Sequence, residues 1–258
     1  MAKIRINRAR EYRENLRLYI TLTKPLTSRL KKFFAKQSRS AADQYEINNI
    51  VGREYYEKYW KELYSIMEKN ARSVIDTISI RARNSRLLKA TDETNLAVYD
   101  YTTQQTAQNV TYITETTKAK IQSAVTFGVS EGLAVTGVAD LIAKSTAFSE
   151  NRAKLIARTE THQAMNYGSY RVAKTLSLKK PVKEWGSALD ERTRHWHRSM
   201  NGQRVLIDEN FLVFTPTKLG GSEERYMKYP GDILGGGANV INCRCFAMYY
   251  DEDDVVVE

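Results

Sequence analysis

The sequence contains few of the residues that stabilise small secreted proteins or interrupt helices. Only 2 of its 258 residues are cysteine, and these, Cys243 and Cys245, are too close together for a comfortable disulfide. A disulfide framework is therefore excluded, and a reducing compartment is expected. No run of about 18 apolar residues is present, so we expect no membrane span. The basic start, Met1 to Arg5, is not followed by the apolar stretch of a signal peptide, so we expect no export signal.

Proline is also scarce, and Pro25 is the only one before Pro181. Because proline disrupts helix interiors, this long proline-poor stretch predicts that the first two-thirds of the chain is helical. We expect Pro25 to break or restart the first helix, and the polar segment 37–42 to act as a hinge. Apolar residues then recur at steps of mostly four over 47–78, which predicts a long helix. Its tyrosines lie at helical spacing, so we predict that they pack in a core rather than stack on nucleic acid.

From Thr91 onward the composition shifts towards threonine and glutamine. The candidate seam positions step alternately by three and four: Leu96, Tyr99, Thr103, Thr106, Val110, Ile113 and Thr117. This is a heptad rhythm in which small polar residues fill half of the seam. We therefore predict a helix that packs against neighbouring helices. Later in the chain, Ser149 is a suitable N-cap for a helix that runs to about Leu176.

The pattern after Pro181 changes to the alternation typical of strands, predicted at 182–189, 203–207, 211–215 and 240–250. The predicted fold class is α+β. A mostly α-helical N-terminal part with long helices precedes a small α+β C-terminal module with a short antiparallel sheet. We predict three parts in the chain: a helical docking and assembly region at 1–127, a compact module at 128–250 and an acidic tail at 251–258.

The positive charge is concentrated at the start of the chain. Residues 1–40 hold 12 lysines and arginines but only two acidic residues, so this basic arm carries the whole net charge of +10. Such an arm favours a polyanion partner or an acidic protein surface. The alternative is a solvated helix face, because the charges are interleaved with apolar residues. The candidate contact residues are Arg5, Arg8, Arg10, Arg13, Arg17, Lys31 and Lys32.

An ordered series of short motifs is the most specific signal in the sequence. In chain order these motifs are Ala157-Arg158-Thr159-Glu160-Thr161 with Asn166, Trp185, Asp190-x-Arg192-Thr193-x-x-x-His197, Gly202, Pro230-x-Asp232 and Asn242-Cys243-Arg244-Cys245. The series resembles the phage head morphogenesis family, the Mu F-like minor head proteins. The resemblance covers roughly Gly128 to Phe246, nearly half of the chain.

The resemblance implies a virion protein of low copy number in a tailed bacteriophage. It implies a place in the capsid interior near the portal vertex, after assembly in the host cytoplasm. The implied roles are head assembly and DNA retention or delivery during ejection. The implied partners are the portal protein, a major capsid or scaffolding protein, and double-stranded DNA contacted non-specifically. This module is fused to toxin domains in other proteins, but only 13 residues follow Cys245, so we expect no effector domain here.

The motif residues favour a structural network over catalysis. Arginines paired with carboxylates commonly form bidentate structural contacts, although carboxylates near a histidine also suit acid–base chemistry. We therefore predict no catalytic residue and no enzymatic activity. The predicted network comprises Arg158, Thr159, Glu160, Asp190, Arg192, Thr193, His197, Asp232, Asn242 and Arg244.

Two cysteines and a histidine raise the question of a metal. Zinc accepts cysteine and histidine, but a Cys-x-Cys pair on a strand is a less usual site than Cys-x-x-Cys. If 191–200 is helical, His195 and His197 diverge by about 200° and do not share an ion. We predict two buried thiols and no cofactor, with zinc at His197, Cys243 and Cys245 as the alternative. Two rival functions stay open: a metal-assisted hydrolase or nuclease that also uses Asp190, and a scaffold without DNA contact.

Overall fold

The computed structural model describes residues 4–84, 92–176, 178–252 and 255–257. The chain forms two compact units whose segments alternate along the sequence. The first unit comprises Met1–Leu22, Arg72–Tyr101 and Thr159–Glu258, and the second comprises Thr23–Ala71 and Thr102–Arg158. Long helices precede a short antiparallel sheet, so the predicted α+β class is confirmed. The division of the chain at residues 127 and 250 stays a prediction.

Helices account for most of the described residues, and none of those helices is long and apolar enough to cross a membrane. The α-helices are α1 (Arg8–Asn48), α2 (Arg53–Asn84), α3 (Asp92–Asp100), α4 (Ala107–Ser130), α5 (Val135–Ala143), α6 (Glu150–Lys174), α7 (His195–Arg198) and α8 (Gly237–Val240).

Helix α1 continues past Pro25, so the predicted break is wrong. A proline inside a helix costs about 3 kcal/mol. Leu26 and Leu30, which follow it, are fully buried, and burying such a side chain contributes roughly 1.5–3 kcal/mol. Packing of the following turns therefore outweighs the cost of the proline. The chain reverses instead at Asn49, whose φ of 54° lies in the left-handed region.

The polar segment 37–42 is also helical, so the predicted hinge is wrong. Two of its polar groups are hydrogen-bonded inside the second unit. The Tyr55 hydroxyl donates to the backbone carbonyl of Gln37, and the Ser38 hydroxyl donates to the backbone carbonyl of Ala143, both at 2.9 Å. These contacts hold the stretch against α2 and the end of α5, so it is not a flexible joint.

The core of the second unit is rich in aromatic side chains. Tyr55 and Tyr59 are buried there with Phe33 and Phe34, which confirms the predicted packing role of the α2 tyrosines. The guanidinium of Arg152 lies over the Phe34 ring and donates to three oxygen acceptors in this unit. Its burial lowers the pKa of Arg152 to about 10.

The predicted heptad seam is correct only in its second half. Val110 and Thr117 are buried, whereas Leu96 and Tyr99 are exposed. The reason is a π-helical segment, Tyr101–Thr106, between α3 and α4. A π-turn holds more residues than an α-turn, so it changes which positions face the interior.

Three small sheets form in the described part of the first unit. In the three-stranded antiparallel sheet, β2 (Pro181–Gly186) lies between β3 (Arg204–Leu206) and β6 (Phe246–Asp251). Strands β4 (Phe211–Pro216) and β5 (Ser222–Met227) form an antiparallel hairpin. Strands β1 (Ile4–Ile6) and β7 (Val255–Val257) pair in parallel.

The last strand of the three-stranded sheet begins later than the predicted 240–250. Val240 is the end of α8, and Asn242 has a left-handed φ of 57°, so extended backbone starts only at Phe246. Cys243 and Cys245 therefore lie in the loop that enters β6, not on the strand. This loop packs beside Trp185 of β2 in a buried cluster.

Candidate functional site

The three side chains of the zinc alternative converge in the core of the first unit. The Nδ1 atom of His197 lies 3.6 Å from the Sγ atoms of both Cys243 and Cys245. Each of the three residues is only 1% exposed. Helix α7 supplies the histidine and the loop before β6 supplies the cysteines. Ser187, just after β2, donates its hydroxyl to the His197 carbonyl and fixes the helix to the sheet.

Asn239 determines which imidazole nitrogen of His197 carries the proton. Its amide nitrogen donates to the Thr215 hydroxyl at 2.7 Å and to the Gly235 carbonyl at 2.8 Å, so its Oδ1 is the free acceptor. That oxygen accepts from the Trp196 indole at 2.8 Å and lies 3.1 Å from Nε2 of His197. Nε2 therefore carries the proton, and Nδ1 presents its lone pair to the two sulfur atoms.

His195 and His162 do not join this cluster. His195 is exposed on α7, as expected from its angular separation from His197 on a helix. His162 is fully buried and donates from Nε2 to the Cys245 carbonyl at 2.6 Å. Burial lowers its pKa to about 4, so it is neutral at pH 7. His162 thus helps to hold the cysteine loop on α6.

Arg244, between the two cysteines, forms the bidentate contact predicted for the motif arginines. Its guanidinium donates to both carboxylate oxygens of Asp190, at 2.8 and 2.6 Å. Asp190 also accepts from the Thr193 hydroxyl at 3.0 Å and from the Arg192 backbone at 3.1 Å. The hydrogen bond from Arg244 is the main cause that lowers the pKa of Asp190 to about 2. The carboxylate is therefore ionised and committed to Arg244.

The side chains of two further motif residues accept hydrogen bonds from backbone N–H groups. The Thr159 hydroxyl accepts from the Asn242 N–H at 3.0 Å, which ties α6 to the cysteine loop. Asp232 accepts from the backbone of Lys228 at 2.8 Å and of Leu234 at 3.1 Å. It thereby caps the short 3₁₀ turn that follows the Pro230-Gly231 turn.

The two charged motif residues on α6 belong to different units. Arg158 lies in the second unit, where its guanidinium donates to the Lys154 carbonyl at 3.2 Å. Glu160 lies in the first unit and is buried. Burial is the largest cause that raises the pKa of Tyr101, and the nearby charge of Glu160 raises it further.

Glu184 is a buried carboxylate that the motif analysis missed. Its side chain is 0% exposed, and it accepts from the guanidinium of Arg8. Arg204 donates to it at 2.7 Å and the Tyr250 hydroxyl at 2.5 Å. Burial acts to raise the pKa of Glu184, but these three hydrogen bonds outweigh it and lower the pKa. These four side chains connect β2, β3, β6 and the start of α1.

Residues 119–248 match the family described as Phage Mu protein F like protein. The match covers half of the chain and includes all of the segment whose motifs carry the resemblance. It contains His197, Cys243, Cys245, Asp190 and Arg244. The chain belongs to this family.

Two relatives extend the comparison of this Mu F-like chain. Minor head protein GP7 of Bacillus phage SPP1 is 32% identical over 136 residues, 52% of this chain and 41% of that protein. The NAD(+)--arginine ADP-ribosyltransferase EFV of Enterococcus faecalis is 29% identical over 121 residues, 46% of this chain and 23% of that protein. The chain thus spans less than half the length of either relative. No solved structure is significantly similar.

The predicted contact residues of the Mu F-like chain lie outside the family match, at its basic N-terminal end. Four of them are exposed on α1: Arg10, Arg13, Arg17 and Lys32. Ion pairs with Glu184, Glu14 and Glu150 engage, respectively, Arg8, Arg10 and Lys31. The side chain of Arg5 lies outside the described residues. The contact role of all seven stays a prediction.

Proposed function

We propose that this chain is a minor head protein that associates with the portal vertex of a tailed bacteriophage and contacts packaged DNA. The family match over half of the chain is the observation that carries this proposal. Similarity to a minor head protein of phage SPP1 supports the same virion role. In this proposal the Mu F-like module is structural, it faces the capsid interior, and it acts in head assembly and in retention or delivery of DNA.

The DNA contact is supported by exposed charge on α1. Arg13 and Arg17 are four residues apart, so they lie on one face of the helix, and both are exposed. Arg10, one turn earlier, shares that face and is bound to Glu14 only by an exposed pair, which is weak. Contacts of this kind reach phosphate groups, carry no base specificity and weaken steeply with salt.

A hydrolase built on Asp190, His197 and the cysteines is not favoured. The family match and the similarity to the minor head protein of phage SPP1 favour a head protein instead. Asp190 is committed to Arg244, and the His197–Cys243–Cys245 cluster is buried, so a substrate has no access to it. A scaffold without DNA contact is the remaining alternative, and it makes the same portal association without the basic face.

Co-sedimentation with purified portal rings across a salt series, with and without double-stranded DNA, tests both parts of the proposal. We expect portal binding that survives salt and DNA binding that falls steeply with salt. The variant R13Q/R17Q should bind portal rings normally but lose about two units of the slope of log affinity against log salt. The variant K69Q/R72Q removes two exposed charges from α2 and is the matched control.

Two results would contradict the proposal separately. Absence of portal binding at every salt concentration would remove the portal association. Equal DNA affinity and equal salt slope for wild type, R13Q/R17Q and K69Q/R72Q would remove the DNA-facing role of α1 and leave the scaffold alternative.

A further inference from the structure

We propose that His197, Cys243 and Cys245 bind one zinc ion that fastens the loop before β6 to helix α7. The three donor atoms lie within 4.8 Å of one another and come from two structural elements of the first unit, α7 and the loop before β6. This proposal does not rest on the portal or DNA role, because it concerns the interior of the Mu F-like module alone.

The spacing of the donor atoms fits tetrahedral zinc. Zinc–sulfur bonds of about 2.3 Å and zinc–nitrogen bonds of about 2.0–2.1 Å, at the tetrahedral angle, separate nitrogen and sulfur by about 3.6 Å. Both distances from Nδ1 of His197 to the cysteine Sγ atoms are 3.6 Å. Both nitrogen–sulfur distances therefore already fit an ion, and the two sulfur atoms lie no more than 4.8 Å apart.

The histidine is held in the tautomer that a metal requires. Its Nε2–H donates to Oδ1 of Asn239, and the Asn239 amide is itself fixed by Thr215 and Gly235. A ligating histidine commonly donates its other ring N–H to an oriented oxygen in this way. The Nδ1 lone pair consequently faces the sulfur atoms before any ion arrives.

Charge and burial agree with a structural role for the ion. Two thiolates neutralise a divalent cation, so the complex with neutral His197 adds no net charge to the core, which reduces the cost of burying the ion. Trp185 packs against His197 with ring centroids 5.4 Å apart, and its buried indole N–H has no hydrogen-bond partner among the described residues. The Ser187 hydroxyl, 3.5 Å from Cys245 Sγ, or a water is left for the fourth position.

Zinc binding by the full-length protein tests the proposal. The reduced protein is stripped with a chelator, and it then competes for Zn²⁺ with a chromogenic chelator while bound zinc is counted by elemental analysis. We expect about one zinc per chain in the wild type. C243S, C245S and H197Q should each bind at least about 100-fold more weakly, and N239A about 10–100-fold more weakly.

His195→Gln is the matched control, because His195 is exposed on the same short helix. It should bind zinc as the wild type does. Circular dichroism of each variant separates loss of the fold from loss of the ligand.

Zinc binding by the wild type tests the proposal even if a variant fails to fold. If it binds no zinc in competition, the 3.6 Å contacts are thiol–imidazole hydrogen bonds and the proposal is wrong. Zinc binding that H195Q abolishes and C243S leaves intact would place the ion elsewhere and would equally overturn it.

Discussion

Replacing Arg8 and Arg204 together by alanine is expected to lower the free energy of unfolding of the first unit by about 3–5 kcal/mol. Glu184 is fully buried, and these two guanidinium groups supply its positive partners. Without them, the Tyr250 hydroxyl is the one side-chain donor left to this carboxylate among the described residues. A buried charge that has lost its counter-ions is far more costly than a lost surface pair.

The same variant should invert the pH dependence of the contribution that Glu184 makes to the free energy of unfolding. In the wild type the pKa of Glu184 is lowered, so its contribution is present above the unfolded value of about 4.3 and is lost as pH falls. Without the arginines, burial dominates and raises the pKa, so the folded state binds a proton more tightly than the unfolded state. The stability gap between wild type and variant should therefore be larger at pH 7 than at pH 5.

Denaturant unfolding at both pH values measures this gap. A Trp60→Phe background leaves Trp185 and Trp196, both in the first unit, as the fluorescent reporters. Arg225→Ala is the matched control, since it breaks an exposed ion pair with Glu223 in the same unit. A double variant no less stable than Arg225→Ala, or a stability gap that does not change with pH, would show that Glu184 is not a buried and ionised carboxylate.

Gly231→Ala is expected to destabilise the first unit by about 2–5 kcal/mol. Gly231 has a φ of +88°, where an L side chain costs about 1–2 kcal/mol. Its Cβ would also lie 2.8 Å from Nδ1 and 3.0 Å from Cε1 of His162. The His162 ring cannot move aside, because it is fully buried and bonded to the Cys245 carbonyl, so overpacking adds about 1–3 kcal/mol.

Gly221→Ala separates the two causes. Gly221, in the loop between β4 and β5, has a φ of +84°, but its Cβ would meet nothing within 4 Å. This control should lose only the backbone contribution, in the same fluorescence-detected unfolding. Equal losses for the two alanine variants would mean that the ring of His162 yields, and that it does not anchor the cysteine loop.

Local sequence patterns predicted the element types well and the interruptions badly. Spacing of apolar residues predicted the long helices and the alternation after Pro181 predicted the sheet, because both patterns report which face is buried. The prediction of a break at Pro25 was wrong because the free-energy cost of the proline is smaller than the stabilisation from burying Leu26 and Leu30 beside it. The π-helical segment at Tyr101–Thr106 left no local signal that the heptad rhythm would change phase there.

The sequence predicted part of the candidate site. Motif spacing identified His197, Cys243 and Cys245, but no motif included Asn239, which orients the histidine. Glu184 did carry a signal, because it is two residues from the buried Val182 on one strand and so faces the same side. Its partner Arg8 lies 176 residues away, and only the tertiary fold reveals that pairing.

The measurement that tests the central claim most directly is quantitative peptide analysis of purified virions of the phage that encodes this chain. DNA-filled heads and tails are separated before digestion, and the copy number of this chain is compared with that of the portal subunit. We predict that it is found in the head fraction at low copy number and stays there after a high-salt wash. Its absence from heads, or its recovery only with tails, would contradict a minor head protein.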